Sequence, residues 1–189
     1  MLEVWIAVGA VLLIVIAVVV YVVATNRSLK RLSARVDGAW SDITTQLAAR
    51  EELLPQLEAR VRGLATHEDK VFAAFEEARA ASSRAATPEE VSAAENLVQG
   101  SLRGVFAAAE AYPQLQSSRE FLQLQSDLVD VENRIQASRR FYNGGVREYN
   151  TKVKVFPNNL VAGPLHFEQR TFFEVADRAA ISQPPRVQF

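Results

Sequence analysis

Two hydrophobic patterns divide the chain. Residues 4–23 read VWIAVGAVLLIVIAVVVYVV, twenty positions without a charge. From Leu29 onward a stripe of apolar residues recurs at steps of three and four, in a chain otherwise rich in polar residues. An apolar run of that length predicts a helix of about 30 Å, the thickness of a bilayer's hydrocarbon. The three-four step predicts amphipathic helices packed in a bundle or coiled coil, because it follows the roughly 3.5-residue period of packed helices. A period-two alternation, the mark of strands, fails throughout.

Val4, Trp5 and Val23 bound the predicted membrane span, and residues 1–24 form the anchor. A cleaved signal peptide would carry a basic start, a shorter apolar core and a small-x-small cleavage site. Here the only early charge is Glu3, the core is too long, and Val22-Val23-Ala24 is a poor cleavage context. Trp5 and Tyr21 lie near the two ends, where amphipathic rings favour the membrane interface. Arg27, Lys30, Arg31 and Arg35 crowd the far side, and no Lys or Arg precedes the run. The excess of positive charge predicts an N-terminus outside and a body in the cytoplasm.

In the body, the first apolar stripe runs through Leu32, Val36, Trp40, Ile43, Leu47, Leu54, Leu57, Val61 and Leu64, with Arg50 as its one polar interruption. Pro55 removes a backbone hydrogen bond and predicts a kink. This helix starts so soon after the span that the two are expected to form one rod with a weak joint at Thr25-Asn26. A second helix is expected over residues 67–85, capped by Thr66 with Asp69 at N3, and carrying Val71, Phe75 and Ala78 on one face. Thr87-Pro88-Glu89-Glu90 is a strong helix start: a Thr cap, Pro at N1, Glu at N3. The third helix then carries Val91, Ala94, Val98, Leu102, Val105, Ala109 and Tyr112, and stops at Pro113.

The fourth helix is predicted from near Ser118 to about Phe156. Its stripe runs from Phe121, Leu124 and Leu128 through Ile135, Tyr142 and Tyr149 to Phe156. Gly144-Gly145 interrupts it at a cost of about 1 kcal/mol per Gly relative to Ala, and a close helix contact is favoured there over a bend. A short turn over residues 160–162, a short helix over 170–180 and an extended tail over 179–189, with Val187 and Phe189 on one side, complete the reading. The fold class is all-α: a single N-terminal transmembrane helix, then an antiparallel up-and-down bundle of long helices over residues 25–178.

Composition narrows the chemistry. At 189 residues the chain suits one domain with an appendage. With no Cys it has no disulfide, thiolate metal site or cysteine nucleophile. A net charge of −1 argues against a nucleic-acid partner. Neither a phosphate loop, nor G-x-S-x-G, nor HExxH, nor GxGxxG occurs. The expectation is a non-enzyme, with no catalytic, cofactor-binding or metal-ligating residue assigned. His67-Glu68-Asp69 is the most site-like cluster, but consecutive helical residues point about 100° apart. A helix-start network, with acids near the positive end of the dipole, explains the trio better. His166 reads as a loop histidine between Gly/Pro signals. Trp40, Tyr112, Tyr142 and Tyr149 read as packing.

One surface stands out. Asn133, Arg140, Asn143, Arg147, Asn150 and Lys154 fall on a common polar stripe of the fourth helix, and residues 134–154 hold six bases against one acid, Glu148. That stripe could grip an acidic partner or anionic headgroups. The bland reading, which is favoured, pairs it with Glu51, Glu52, Glu58, Glu76 and Glu77 of other helices, or buries Asn133, Asn143 and Asn150 to set register.

Several stretches together resemble the LemA family of bacterial membrane-anchored helical proteins. They are Val36-Asp37-Gly38-Ala39-Trp40-Ser41-Asp42-Ile43, Leu53-Leu54-Pro55, Ala65-Thr66-His67-Glu68 and Ala109-Glu110-Ala111-Tyr112-Pro113, then Glu132-Asn133-Arg134-Ile135, Arg140-Phe141-Tyr142-Asn143, Tyr149-Asn150 and Phe156-Pro157-Asn158-Asn159. Their order and spacing carry the likeness. Gln56, Leu64 and Gly144-Gly145 depart from the family pattern. The resemblance implies a cytoplasm-facing bundle tethered to the bacterial cytoplasmic membrane by one helix, in a family without an agreed activity, some of whose members shape or organise intracellular membranes. By analogy the expected function is a self-associating, homo-oligomeric scaffold that meets lipid through its N-terminal helix. The alternative is a monomeric adaptor that binds a different membrane or cytoplasmic protein through the basic-Asn stripe.

Overall fold

The computed structural model describes residues 1–65 and 67–174. Six helices follow in order: α1 (Leu2–Arg62), α2 (Asp69–Arg84), α3 (Pro88–Glu110), α4 (Pro113–Gln116), α5 (Arg119–Lys154) and α6 (Asn159–Ala162). Among the described residues there is no strand, and the architecture is all-α. The described helices form two compact units, Met1–Trp40 with Phe141–Arg170 and Ser41–Arg140 with residues 171–174. α1 and α5 each contribute to both.

In the first unit, α1 and α5 run antiparallel. Lys152 donates to the Ser28 hydroxyl, Arg35 pairs with Glu148, and Trp40 meets Tyr142 with ring centroids 5.4 Å apart. Rising numbers on one helix thus meet falling numbers on the other. Leu29, Leu32 and Val36 on α1 and Tyr142, Val146 and Tyr149 on α5 are buried here, as the stripes predict. Gly145 explains part of the glycine pair: a Cβ built there would come within 3.3 Å of Val36 Cγ2, whereas one at Gly144 meets nothing within 4 Å. Close approach therefore belongs to Gly145 alone, and α5 passes both without a break.

The second unit is an up-and-down set of α1, α2, α3 and α5. Its core holds Leu54, Leu57 and Val61 of α1, Phe72, Phe75 and Ala78 of α2, Val98 and Val105 of α3, and Phe121, Leu124 and Leu128 of α5. Successive helices are antiparallel: Arg62 stacks on Phe72 while Arg79 reaches back to Glu51, and Gln99 bonds Glu132 while Phe106 meets Phe121. The start of α3 follows the expectation closely. The Thr87 hydroxyl accepts from Glu90 N at 3.2 Å, and the Glu90 carboxylate accepts from Thr87 N at 3.1 Å and Ala86 N at 2.9 Å.

α1 is one continuous helix through Thr25-Asn26 and Pro55, the joining of anchor and first bundle helix that the sequence predicts. Other expectations need correction. α2 begins at Asp69, with Glu68 as an N-cap that makes no side-chain cap bond; the proposed cap Thr66 lies outside the described residues. Phe72 rather than Val71 is fully buried on its face. α3 ends at Glu110, and Pro113, expected only to stop it, opens the one-turn α4, whose Leu115 enters the core. Leu64 and Phe156, both assigned to core stripes, are exposed, because each lies past the end of its helix, where the chain leaves the face that the stripe follows.

No helix begins at Arg170: residues 171–174 are irregular. The Asn150 amide donates to the carbonyl of Arg170 and accepts from its N–H, both at 2.8 Å. Phe173 is fully buried. An extended segment so held cannot also take up the helical repeat. The rest of the expected helix, and the tail over residues 179–189 with Val187 and Phe189, lie outside the described residues.

Candidate functional site

The N-terminal part of α1 is exposed throughout: residues 4–23 make no buried contact, and the helix is long and apolar enough to cross a membrane. Apart from Gly9, every residue of this run turns an apolar side chain outward, and each large one would forfeit roughly 1.5–3 kcal/mol by staying in water. Arg27, Lys30, Arg31 and Arg35 follow within four helical turns and are exposed. Tyr21, in the last turn of the apolar run, donates its hydroxyl to Asn158 Oδ1 at 2.7 Å. The polar end of this aromatic is thereby fixed to the turn after α5.

The predicted stripe on α5 resolves into members with different roles. Asn133 and Arg140, in the second unit, are exposed; in the first unit Arg147 and Lys154 are exposed while Asn143 and Asn150 are half-buried. Asn150 is taken up by the two bonds to the Arg170 backbone. Arg170 in turn pairs with Asp37 at 3.1 Å and donates to the Ser33 hydroxyl. Asn150 therefore clasps a chain segment. The burial of Asn133 expected by the register reading does not occur. Nor do Glu51, Glu58 and Glu76 supply the expected partners of the stripe: Arg79 of α2 reaches all three, and Arg62 pairs with Glu58.

The strongest polar constellation centres on Arg50, the polar interruption of the first apolar stripe. Arg50 is 2% exposed and Glu95 1%. The Arg50 guanidinium binds the Glu95 carboxylate with both terminal nitrogens, Nη1 to Oε2 at 2.8 Å and Nη2 to Oε1, and Nη1 also lies 3.4 Å from Glu132 Oε2. Glu132 further accepts from Gln99 and Gln136. Burial opposes the charge on Arg50, but the hydrogen bonds and negative charges of Glu95 and Glu132 outweigh it and raise its pKa further. The sequence signal was present: Glu95 stands between Val91 and Val98 on the buried face of α3, as Arg50 does on α1. The paired charges of α1, α3 and α5 hold the three helices in register, while Arg50 Nε, also buried, has no hydrogen-bond partner.

The histidines form no such group. His67 and Asp69 are exposed, Glu68 is half-buried, and His166 is exposed in a loop at φ 55°. Among the described residues no three His, Asp or Glu side chains are grouped to hold a metal.

Comparison with known proteins adds kinship. The model of the LemA family matches residues 39–189. Two curated relatives, Magnetosome protein MamQ 1 and Magnetosome protein MamQ 2 of Paramagnetospirillum magneticum, are each 30% identical over 70 residues, or 37% of this chain. That match spans only 26% of either relative's length.

Proposed function

The chain belongs to the LemA family, and on that premise we propose that it is a non-enzymatic scaffold, anchored in the bacterial cytoplasmic membrane by one pass over residues 4–23, that self-associates and organises the membrane or the proteins on it. The exposed basic collar Arg27, Lys30, Arg31 and Arg35 supports a bundle on the cytoplasmic side. The observation that carries self-association lies in the second unit. After its core is filled, Leu97 of α3 and Leu122 and Val129 of α5 remain half or more exposed. Leu122 and Val129 are seven residues apart, so they lie on one face of α5. The membrane would hold neighbouring copies upright and raise their effective concentration, so a modest apolar contact suffices for assembly. The magnetosome names of the two relatives support a part in organising a cellular structure.

A photo-crosslinking residue at Leu122 or Val129, activated in intact membranes, tests this reading. It predicts adducts between copies of the chain. Adducts solely to a different protein contradict it and favour a second reading, a monomeric adaptor. That reading draws on Arg140, Arg147 and Lys154, whose charges are exposed at seven-residue spacing on α5. Reversing all three to Glu is then expected to abolish capture of the other protein while leaving helicity unchanged.

A further inference from the structure

The turn that follows α5, residues 155–165, is apolar except for Asn158 and Asn159, and two lysines precede it at the end of α5. Between Tyr149 and Phe167 there are two lysines, Lys152 and Lys154, and no acid. Phe156 is 72% exposed and Leu160 64%, and Val155 and Leu165 beside them are also exposed. Such a concentration of uncovered large side chains marks a surface that something apolar covers.

The turn is not a loose end. The N–H groups of Ala162 and Val161 donate to the Asn158 carbonyl, Phe167 N–H donates to the Ala162 carbonyl, and Val161 and Ala162 are buried. Phe156 and Leu160 are therefore presented outward from a folded support. Its place is set by the bond from Tyr21 to Asn158. Tyr21 is two residues from the end of the apolar span, about 3 Å along the helix axis at 1.5 Å per residue. Arg27 and Lys30, exposed, follow on the same helix, and Lys152 is held to Ser28.

From this juxtaposition we propose that the turn over residues 155–165 is a second membrane contact: Phe156 and Leu160 enter the boundary between headgroups and acyl chains beside the span, while Lys152, Lys154, Arg27 and Lys30 face lipid phosphates. The occupant is the lipid surface itself. An apolar tip with a cationic rim is the arrangement that peripheral segments use at anionic interfaces, and the Tyr21 contact puts it at the depth where aromatic belts lie. The proposal rests on the reading of residues 4–23 as a membrane span. It makes the first unit a two-point mount that fixes how the helices leave the bilayer.

The absence of Cys from the chain makes the test direct. Full-length protein carrying one environment-sensitive fluorophore, through Phe156→Cys or Leu160→Cys, is reconstituted in vesicles of phosphatidylcholine and phosphatidylglycerol. Lipid-borne quenchers are placed at shallow or deep positions, and Leu12→Cys and Asp37→Cys serve as midspan and aqueous references. The proposal predicts blue-shifted emission and quenching by the shallow probe at both turn sites, deep quenching at Leu12 and none at Asp37. Deep quenching at Leu12 with emission like that of Asp37 at both turn sites overturns the proposal and leaves the span standing. Blue-shifted emission at the turn without lipid quenching overturns it in favour of a protein cover. If Leu12 itself escapes the deep probe, the span and the proposal fall together.

Discussion

Arg50 is a charge held where a helical bundle would ordinarily place a leucine. Its value lies in the company it keeps, two carboxylates from α3 and α5 that converge on one guanidinium. Arg50→Met is expected to destabilise the fold by about 3–5 kcal/mol, because Glu95 then stays buried without a cation. Arg50→Met combined with Glu95→Met should recover most of that loss. Denaturant titration of the detergent-solubilised protein, followed by helical circular dichroism, reads both. A double variant no more stable than Arg50→Met would contradict the cost ascribed here to an unpaired Glu95.

A second residue-scale test uses pH at the start of α3. Hydrogen bonds from the Ala86 and Thr87 N–H groups hold the Glu90 carboxyl below its ordinary range. Its contribution is fully present above the ordinary carboxylate pKa and is lost as pH falls through the lowered folded-state value. Thr87→Ala removes about 1 kcal/mol. The acid-side loss of stability attributable to Glu90 should be absent in Glu90→Gln, as a pH series of unfolding midpoints would reveal.

At the scale of elements, the two adjacent glycines of α5 should part company. Gly144 faces open space, so Gly144→Ala is expected to stabilise by about 1 kcal/mol through helix propensity. Gly145→Leu should destabilise, because the side chain would meet Val36. Thermal unfolding of the two variants separates them; stabilisation by both would refute the close approach of α1 and α5.

The helices themselves were legible because their signals are local. A Thr-Pro-Glu-Glu start and a three-four stripe act within a few residues of chain, and Thr87 and Leu128 behave accordingly. What lay beyond reading were partnerships across long separations. Arg50 was visible as an interruption, but its partner Glu95 is 45 residues away and Glu132 is 82. The polar row of α5 looked uniform by spacing. Asn150 differs from Arg147 because Arg170 happens to return beside it. Phe156 matched the stripe by count, yet α5 ends at Lys154 and the following turn presents it outward.

On the scale of the whole molecule, apolar residues divide between the stripes that fill the chain's own cores and positions off those stripes that stay exposed. Leu54, Val98 and Leu128 are spent within the second unit, whereas Leu97, Leu122 and Val129 are not. Lys at Leu122 and Val129 together should therefore leave helicity and unfolding nearly unchanged, since exposed substitutions typically shift stability within about 0.5 kcal/mol, while dispersing any assembly built on that face. Cross-linking in membranes and circular dichroism on the same preparations distinguish lost association from lost folding.

The most direct measurement of the central claim is the mass of the intact protein released gently from native membranes, by native mass spectrometry. A scaffold predicts a uniform assembly of several copies that falls to single chains in the Leu122→Lys, Val129→Lys variant. A lone chain, or one copy bound stoichiometrically to a different protein, would contradict the scaffold and make the chain an adaptor.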